Sequence, residues 1–268
     1  MRFPVRCGAF AFGLWLAAVP AALAQTRPGA NEPDLAAGRP GVTESAGVAG
    51  AGVVQFEGGV ELDVDHDAGA WSRTFLGPAV LRVGLTPRLE LRLAGDGLTI
   101  ERTPSAHDGG IADVAVGAKC IVLDADRAGF ELAVIPALSL PTGADRLSSH
   151  HYQPSVALSL AHDLPAHFDL GASAGVLWTR DPSQRRAARS ASVAIGHPIA
   201  SAWAGFGEIA VTDDNGKGVD WMVDGGVSRT IGRDAQIDVE VGHRLAGGAA
   251  DWTLGAGLVI RHVGRHGP

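Results

Sequence analysis

Apolar and polar positions alternate along most of this chain. From Val53 to Asp65 the apolar set is Val54, Phe56, Val60, Leu62 and Val64, and the polar set is Gln55, Glu57, Glu61, Asp63 and Asp65. A period of two predicts a strand with one oily and one wet face. The same pattern recurs where Phe130, Leu132, Val134, Leu138 and Leu140 alternate with smaller or charged residues. It recurs again where Tyr152, Val156, Leu158 and Leu160 alternate with Gln153, Ser155, Ser159 and Asp163, and where Ile237, Val239 and Val241 alternate with Gln236, Asp238 and Glu240. Twelve such segments are legible, near 53–64, 73–85, 89–98, 111–123, 129–140, 152–163, 168–179, 188–197, 202–212, 219–230, 235–245 and 251–263.

The connections sharpen this. Those at 86–88, 124–128, 164–167, 198–201 and 231–234 are short, and the intervening ones are mostly longer. Strands in even number, with short turns at one end and long loops at the other, predict an antiparallel outer-membrane β-barrel. Aromatic residues agree. If both chain ends lie on the periplasmic side, Trp71, Tyr152, Trp178, Trp221 and Trp252 fall at the external ends of strands. Phe130, Phe168 and Trp203 fall at the periplasmic ends, all eight on the apolar face. Two aromatic girdles suit a lipid-facing surface. The oily face then meets lipid and the wet face lines the interior. Arg at Val134, Leu158 or Val239 is expected to cost about 2–4 kcal/mol, and much less at Ser159 on the wet face.

The flanks set the domain organisation. Arg2 and Arg6, the uncharged run from Gly8 to Val19 and the small residues Ala22 and Ala24 predict a cleaved export signal over 1–24. Residues 25–52, rich in Gly, Ala and Pro, predict a flexible periplasmic leader, followed by a barrel over 53–263 and a tail over 264–268. Removal of the signal leaves Cys120 alone, so no internal disulfide forms. It also takes the formal charge from −7 to about −9, and a mildly acidic chain without a basic block is a poor nucleic-acid partner.

Short motifs in the leader and first strands carry a resemblance. Arg39-Pro40-Gly41-Val42-Thr43-Glu44-Ser45 precedes Gln55-Phe56-Glu57-Gly58-Gly59. Further matches follow at Leu81 to Leu85, Arg88 to Arg92, Asp113 to Lys119 and Pro136 to Gly143. These resemble an outer-membrane transporter family labelled meta-pathway of phenol degradation, from Arg39 onward. The resemblance implies a monomeric outer-membrane barrel and transport of small hydrophobic or aromatic compounds. Its partners would be outer-membrane lipid, a small solute and the barrel-assembly machinery. Two departures stand out. The family's acidic residue before Arg-Pro is Gly38 here, and the chain ends Arg265-His266-Gly267-Pro268 without a terminal aromatic.

The wet face places Glu57, Glu61, Arg82, Glu90, Arg92, Asp113, Lys119, Glu131, Glu208, Asp224, Asp238, Glu240 and Arg261 in the lumen. Charges inside a narrow barrel must pair or be hydrated, and the same charges line any pore. Acids outnumber bases nine to four in that set, so an open pore disfavours anions. Arg82 and Arg92 fall opposite each other across the turn at Pro87, and Glu57 and Glu61 are the expected counter-ions. His150-His151 sit in a loop and supply too few ligands for a metal. An esterase would need a base beside a nucleophile; no motif supplies one, so no enzyme and no cofactor is expected. Two functions remain, a channel for small solutes and a structural barrel with a filled lumen.

Overall fold

The computed structural model describes residues 35–67, 69–181, 184–213, 218–248 and 250–264. The expected signal, the first ten leader residues and the last four residues lie outside this set.

Twelve antiparallel strands close on themselves. β1 is Val53–Asp67 and β2 is made of Ala70–Leu76 and Ala79–Thr86. β3 is made of Leu89–Gly95 and Leu98–Arg102, and β4 of His107–Ile111 and Val114–Leu123. β5 is Glu131–Leu140, β6 Gln153–Leu164, β7 Phe168–Asp181 and β8 Gln184–Ala200. β9 is Trp203–Asp213, β10 Val219–Ile231, β11 Ala235–Ala246 and β12 Trp252–Val263. Each strand pairs with its sequence neighbours, and β12 pairs with β1 from Val53 opposite Val263 to Val64 opposite Trp252. Closure leaves no free edge along the main ladder, as a lipid environment requires; only His107–Ile111, the outer half of β4, pairs on one side alone. No helix is long and apolar enough to cross a membrane among the described residues.

Side-chain parity divides the wall. Leu158 is 46% exposed on the outside, and its neighbour Ser159 is 0% exposed inside. Val239 is 52% exposed and Asp238 4%. Trp71, Trp178, Trp221, Trp252 and Tyr152 ring one end of the outer surface, and Phe168 and Trp203 lie at the other. Arg229 stacks on Trp203, 5.3 Å from its ring centre.

The structure departs from the pattern in three respects. First, three of the six long connections, 65–72, 99–110 and 180–187, run on as paired strand. Pairing of β1 with β2 continues to Asp67 opposite Ala70, and that of β7 with β8 to Asp181 opposite Gln184. Antiparallel hydrogen bonding simply persists past the apolar belt. Second, β2, β3 and β4 are each interrupted, at Gly77-Pro78, Asp96-Gly97 and Ala112-Asp113. Pro78 has no N–H for a ladder, and the breaks align: Gly77 N–H reaches Leu98 O at 2.9 Å and Ala112 N–H reaches Gly97 O at 2.8 Å. Third, residues 35–52 are not a free leader. Ala37, Thr43, Glu44, Ser45, Ala46 and Ala49 are buried inside the barrel.

Between the outer half of β4 and β6 the wall is completed by the loop 141–152. Ala144 N–H bonds Ile111 O at 2.8 Å, and the Asp113 carboxylate accepts from Gly143 N–H, Ser149 N–H and Ser149 Oγ–H, each at 2.8 Å. At the same far end Asp251 accepts from His66 N–H at 2.8 Å across the β1–β12 seam, which holds its carboxyl below the ordinary range.

Leu158→Arg is expected to destabilise the barrel in liposomes by about 2–4 kcal/mol, the cost of a charge at lipid depth. Gly207→Ala, whose added Cβ meets nothing within 4 Å, should stay within about 1 kcal/mol, the span of strand preferences. Urea unfolding midpoints at equal slope give both numbers.

Candidate functional site

The lumen is built around the leader. Residues 35–52 enter and leave at the end that bears the short turns. Leu35 packs on Ala37 and Val259 near the start of the barrel, and Gly52 N–H bonds Gly84 O at 3.0 Å. Between these two feet the chain reaches up to Thr43 and Glu44 and returns, forming a tongue. It includes a cis Arg39-Pro40 peptide. Small residues make this fit: Ala36 and Gly47, on opposite limbs, lie close enough that a Cβ at 47 would touch the Ala36 Cβ at 3.4 Å.

One wall is a balanced ionic cluster. Arg82 and Arg92 are register partners on β2 and β3, and Lys119 on β4 is the register partner of Glu90. Arg82 binds Glu57 at 2.6 Å and Glu90 at 2.9 Å. Arg92 and Lys119 each bind Glu44 of the tongue at 2.7 Å. Three cations thus meet three carboxylates, nearly all shielded from solvent. The expected role of Glu57 holds, and that of Glu61 is corrected: Glu90 and Glu44 complete the pairing instead. Both are nearer to the arginines, one across the turn from Arg82 and the other brought in by the tongue.

The cluster also grips the tongue's backbone. Arg82 donates to Ala36 O on one limb and to Gly47 O, at 2.8 Å, on the other. Lys119 donates to Ser45 O at 2.7 Å. Ala49 N–H donates to Glu90 at 2.6 Å. Ser159 Oγ–H donates to Glu44 O. Ser159 is therefore not on a wet surface, and an Arg there would collide with the tongue. The expectation of a cheap substitution at that position is overturned.

The opposite wall is acidic. Gly41 N–H donates to Glu240 at 2.6 Å and Val42 N–H to Glu208 at 2.9 Å, while Gly38 N–H donates to Glu57 of the ionic cluster at 2.8 Å. Thr43 Oγ–H lies within reach of Ser192 and Glu208. Arg39 meets Asp238 at 3.3 Å and Glu240 at 3.5 Å. At Gly38, the departure from the family motif, a side chain would overlap the Glu57 carboxylate.

The other expected lining residues fall as follows. Glu61 and Asp224 face the lumen beside Glu208 and Glu240, and Glu131 is half-buried on β5 near Gly47. Asp113 and Arg261 lie at the rims, Asp113 anchoring the loop 141–152 and Arg261 bonded to Asp234 at 2.9 Å in the β10–β11 turn. Among the described residues no group of three His, Cys, Asp or Glu side chains is placed to hold a metal, His150 and His151 included. Sequence reasoning missed Glu44, Arg39 and the tongue's backbone amides. The paired charges of the Arg-Pro-x-x-Thr-Glu-Ser stretch were the available signal.

Beyond the tongue lies a cavity of about 160 Å³. Its floor holds Glu44 and Arg92; small residues such as Ala94, Ala137, Ser173 and Gly175 line much of its wall, with Asp113, Gln153 and Arg189 also on it.

Residues 37–262 match the model of a protein family described as "Putative MetA-pathway of phenol degradation". The chain belongs to this family. No curated protein sequence matches the chain. Among solved structures it is similar to the COG4313 outer membrane channel from Pseudomonas putida F1, at 14% identity, covering 84% of this chain and 99% of that one, with a TM-score of 0.69. It is also similar to the β domain of the Bordetella autotransporter BrkA, at 13% identity, covering 78% and 99%, with a TM-score of 0.51. The likeness establishes an outer-membrane type of barrel. The family motif with Arg39, Thr43 and Glu44 lies in the lumen of this member.

Arg82→Ala leaves Glu57 and Glu90 buried without their cation and is expected to cost about 3–5 kcal/mol. Glu44→Gln should leave the barrel intact but loosen the tongue. A Val48→Cys probe in a Cys120→Ser background reads this: thiol labelling should rise at least tenfold with Glu44→Gln, at an unchanged gel shift between boiled and unboiled protein.

Proposed function

We propose that this protein is an outer-membrane channel for small solutes whose lumen is narrowed by its own leader. One observation supports this most. The lumen is filled by a separate segment, held by hydrogen bonds and ion pairs, and not by the barrel's own side chains. Beyond that segment the interior opens into the 160 Å³ cavity. A lumen of twelve strands lies between the eight-stranded barrels that side chains fill and the wide porins. The similarity to a channel from Pseudomonas putida F1 points the same way. The cavity's small, mostly apolar wall suits a hydrophobic or aromatic solute.

In this reading an export signal over 1–24 is cleaved and the chain works as a monomer among outer-membrane lipids, inserted by the barrel-assembly machinery. No catalytic step is involved. A solute entering from outside meets the apolar cavity first, then the charged level where Glu44, Arg92 and Arg39 stand with Glu208, Asp238 and Glu240. With the acids of β9 to β12 counted, acidic groups outnumber basic ones there and oppose anions.

The test is planar-bilayer recording of the mature protein and of a variant lacking residues 35–49. The full chain should conduct weakly, and the shortened one at least several-fold more. In a salt gradient its reversal potential should indicate cation preference. A shortened barrel that is correctly folded yet silent would establish the filled structural barrel in place of the channel.

A further inference from the structure

Two arginines on the outer surface have no counter-ion among the described residues. Strand register sets one row across five strands: Trp252 on β12, Val64 on β1, Arg73 on β2, Arg102 on β3 and His107 on β4. Val64 shares its face with Val54, Phe56 and Val60, all exposed on the outside, so the whole row faces outward. Trp252 belongs to the aromatic girdle and fixes the depth of the row at the level where lipid head groups begin. Arg73, Arg102 and His107 are exposed there. Arg73 and Arg102 stand directly opposite each other on neighbouring strands, with Cβ atoms about 4.5–5.5 Å apart.

The barrel supplies neither of them with a carboxylate. The acids next to them in sequence and register, Glu101 and Asp108, alternate to the other face, and Asp108 is taken by Arg146 of the loop 141–152 at 2.6 Å. Arg102 Nε–H donates to the His107 ring nitrogen at 3.3 Å, which leaves the two terminal nitrogens of its guanidinium without a partner. Other outward arginines are provided for. Arg189 on β8 has Asp213 of β9 at 3.4 Å, and Arg229 on β10 lies over the Trp203 ring. A single arginine near a strand end can lay its stem on the wall and extend its head to water. Two placed opposite each other repel, and one anion between them relieves both.

The surface below the pair is hydrocarbon. Toward mid-depth the next row holds Phe75 and Ile100, and the one after it Leu98 and Ile111, both well exposed. Passing down this stretch of wall, two cations are followed by two apolar rows. An anionic head above acyl chains has the same order. A planar guanidinium takes two oxygens of a phosphate in parallel N–H bonds. We propose that Arg73 and Arg102 form a seat for the phosphate head group of a membrane lipid, whose chains lie on Phe75, Ile100, Leu98 and Ile111. His107 holds Arg102 by its Nε, so that its terminal nitrogens face the phosphate. With both chain ends periplasmic, this lipid belongs to the outer leaflet. The site lies on the open outer surface and is independent of whether the lumen conducts.

The probe is phosphatidic acid, compared with phosphatidylcholine of the same chains at equal concentration. Native mass spectrometry of the mature full-length protein, released from detergent, counts the lipid retained. Wild type should retain phosphatidic acid at least fivefold more than phosphatidylcholine, and inorganic phosphate in large excess should not displace it. Arg73→Gln combined with Arg102→Gln should abolish the preference while the gel shift between boiled and unboiled protein persists. Arg189→Gln combined with Arg229→Gln removes the same charge elsewhere on the outer face and should leave the preference intact. If the first pair fails to fold, each of its single changes should lower retention at least threefold. An undiminished preference in a folded variant of Arg73 or Arg102 overturns the proposal. So does its loss in the Arg189 and Arg229 pair, which would mean attraction to net charge alone, and so does the lack of any preference in wild type. Displacement by inorganic phosphate overturns it as well, because the seat would then serve a free anion and not a lipid.

Discussion

A charge enclosed by a closed barrel in lipid must find its partner inside the barrel. Neither the hydrocarbon outside nor a neighbouring sheet edge can supply one. The rest of this structure answers to that constraint. Arg82, with no exposed surface, reaches two carboxylates and two carbonyls. Two of those four partners belong to the barrel, and the other two to the tongue. Lys119 and Arg92 depend on Glu44 in the same way. The leader is thus part of the barrel's electrostatics, although it contributes no strand. Its Ala and Gly content, which reads as disorder in isolation, is what lets it pass between walls already crowded with long side chains.

The two walls use the tongue differently. On the side of β2 to β4 the tongue offers carbonyls and one carboxylate to cations, and the Ala49 N–H to Glu90. On the side of β9 to β12 it offers N–H groups and one guanidinium to carboxylates. A single extended chain can do both because every residue except proline carries a donor and an acceptor on its backbone. Each tongue amide is thus matched to the particular group it meets, as where Ala49 N–H turns to Glu90 and the Arg39 carbonyl accepts from Gln236.

Much of the fold was legible in the sequence because its cause is local. The alternation of Val54, Phe56, Val60 and Leu62 with Gln55, Glu57 and Glu61 records a two-faced wall one residue at a time. Trp71, Trp178 and Trp252 record where the lipid ends. The interruptions were less legible. Pro78 was visible, but the alignment of Gly77, Gly97 and Ala112 across three strands is a property of register. The tongue was not legible as structure because its binding is through backbone groups, which leave no periodic trace in side chains. The same cause misplaced Glu61. Sequence order put it near the arginines, but Glu44 and Glu90 take those places and strand register puts Glu61 among acids. Ser159 was misjudged because a polar inner face was equated with water, when the tongue covers it.

The tongue's two feet stand at the same end of the barrel. Leu35 rests by Val259, and Gly52 is joined to Gly84 beside the β2–β3 turn. A segment held at both ends on one side is a loop pushed into a tube, not a thread drawn through it. Residues 35–52 can be inserted or withdrawn from that one side. The obstacle to such a movement is therefore the simultaneous release of the contacts to Arg82, Arg92 and Lys119, to Glu57, Glu90 and Ser159, and to Glu208, Asp238 and Glu240. It does not involve unzipping a strand, so the pairing of the wall is unchanged throughout.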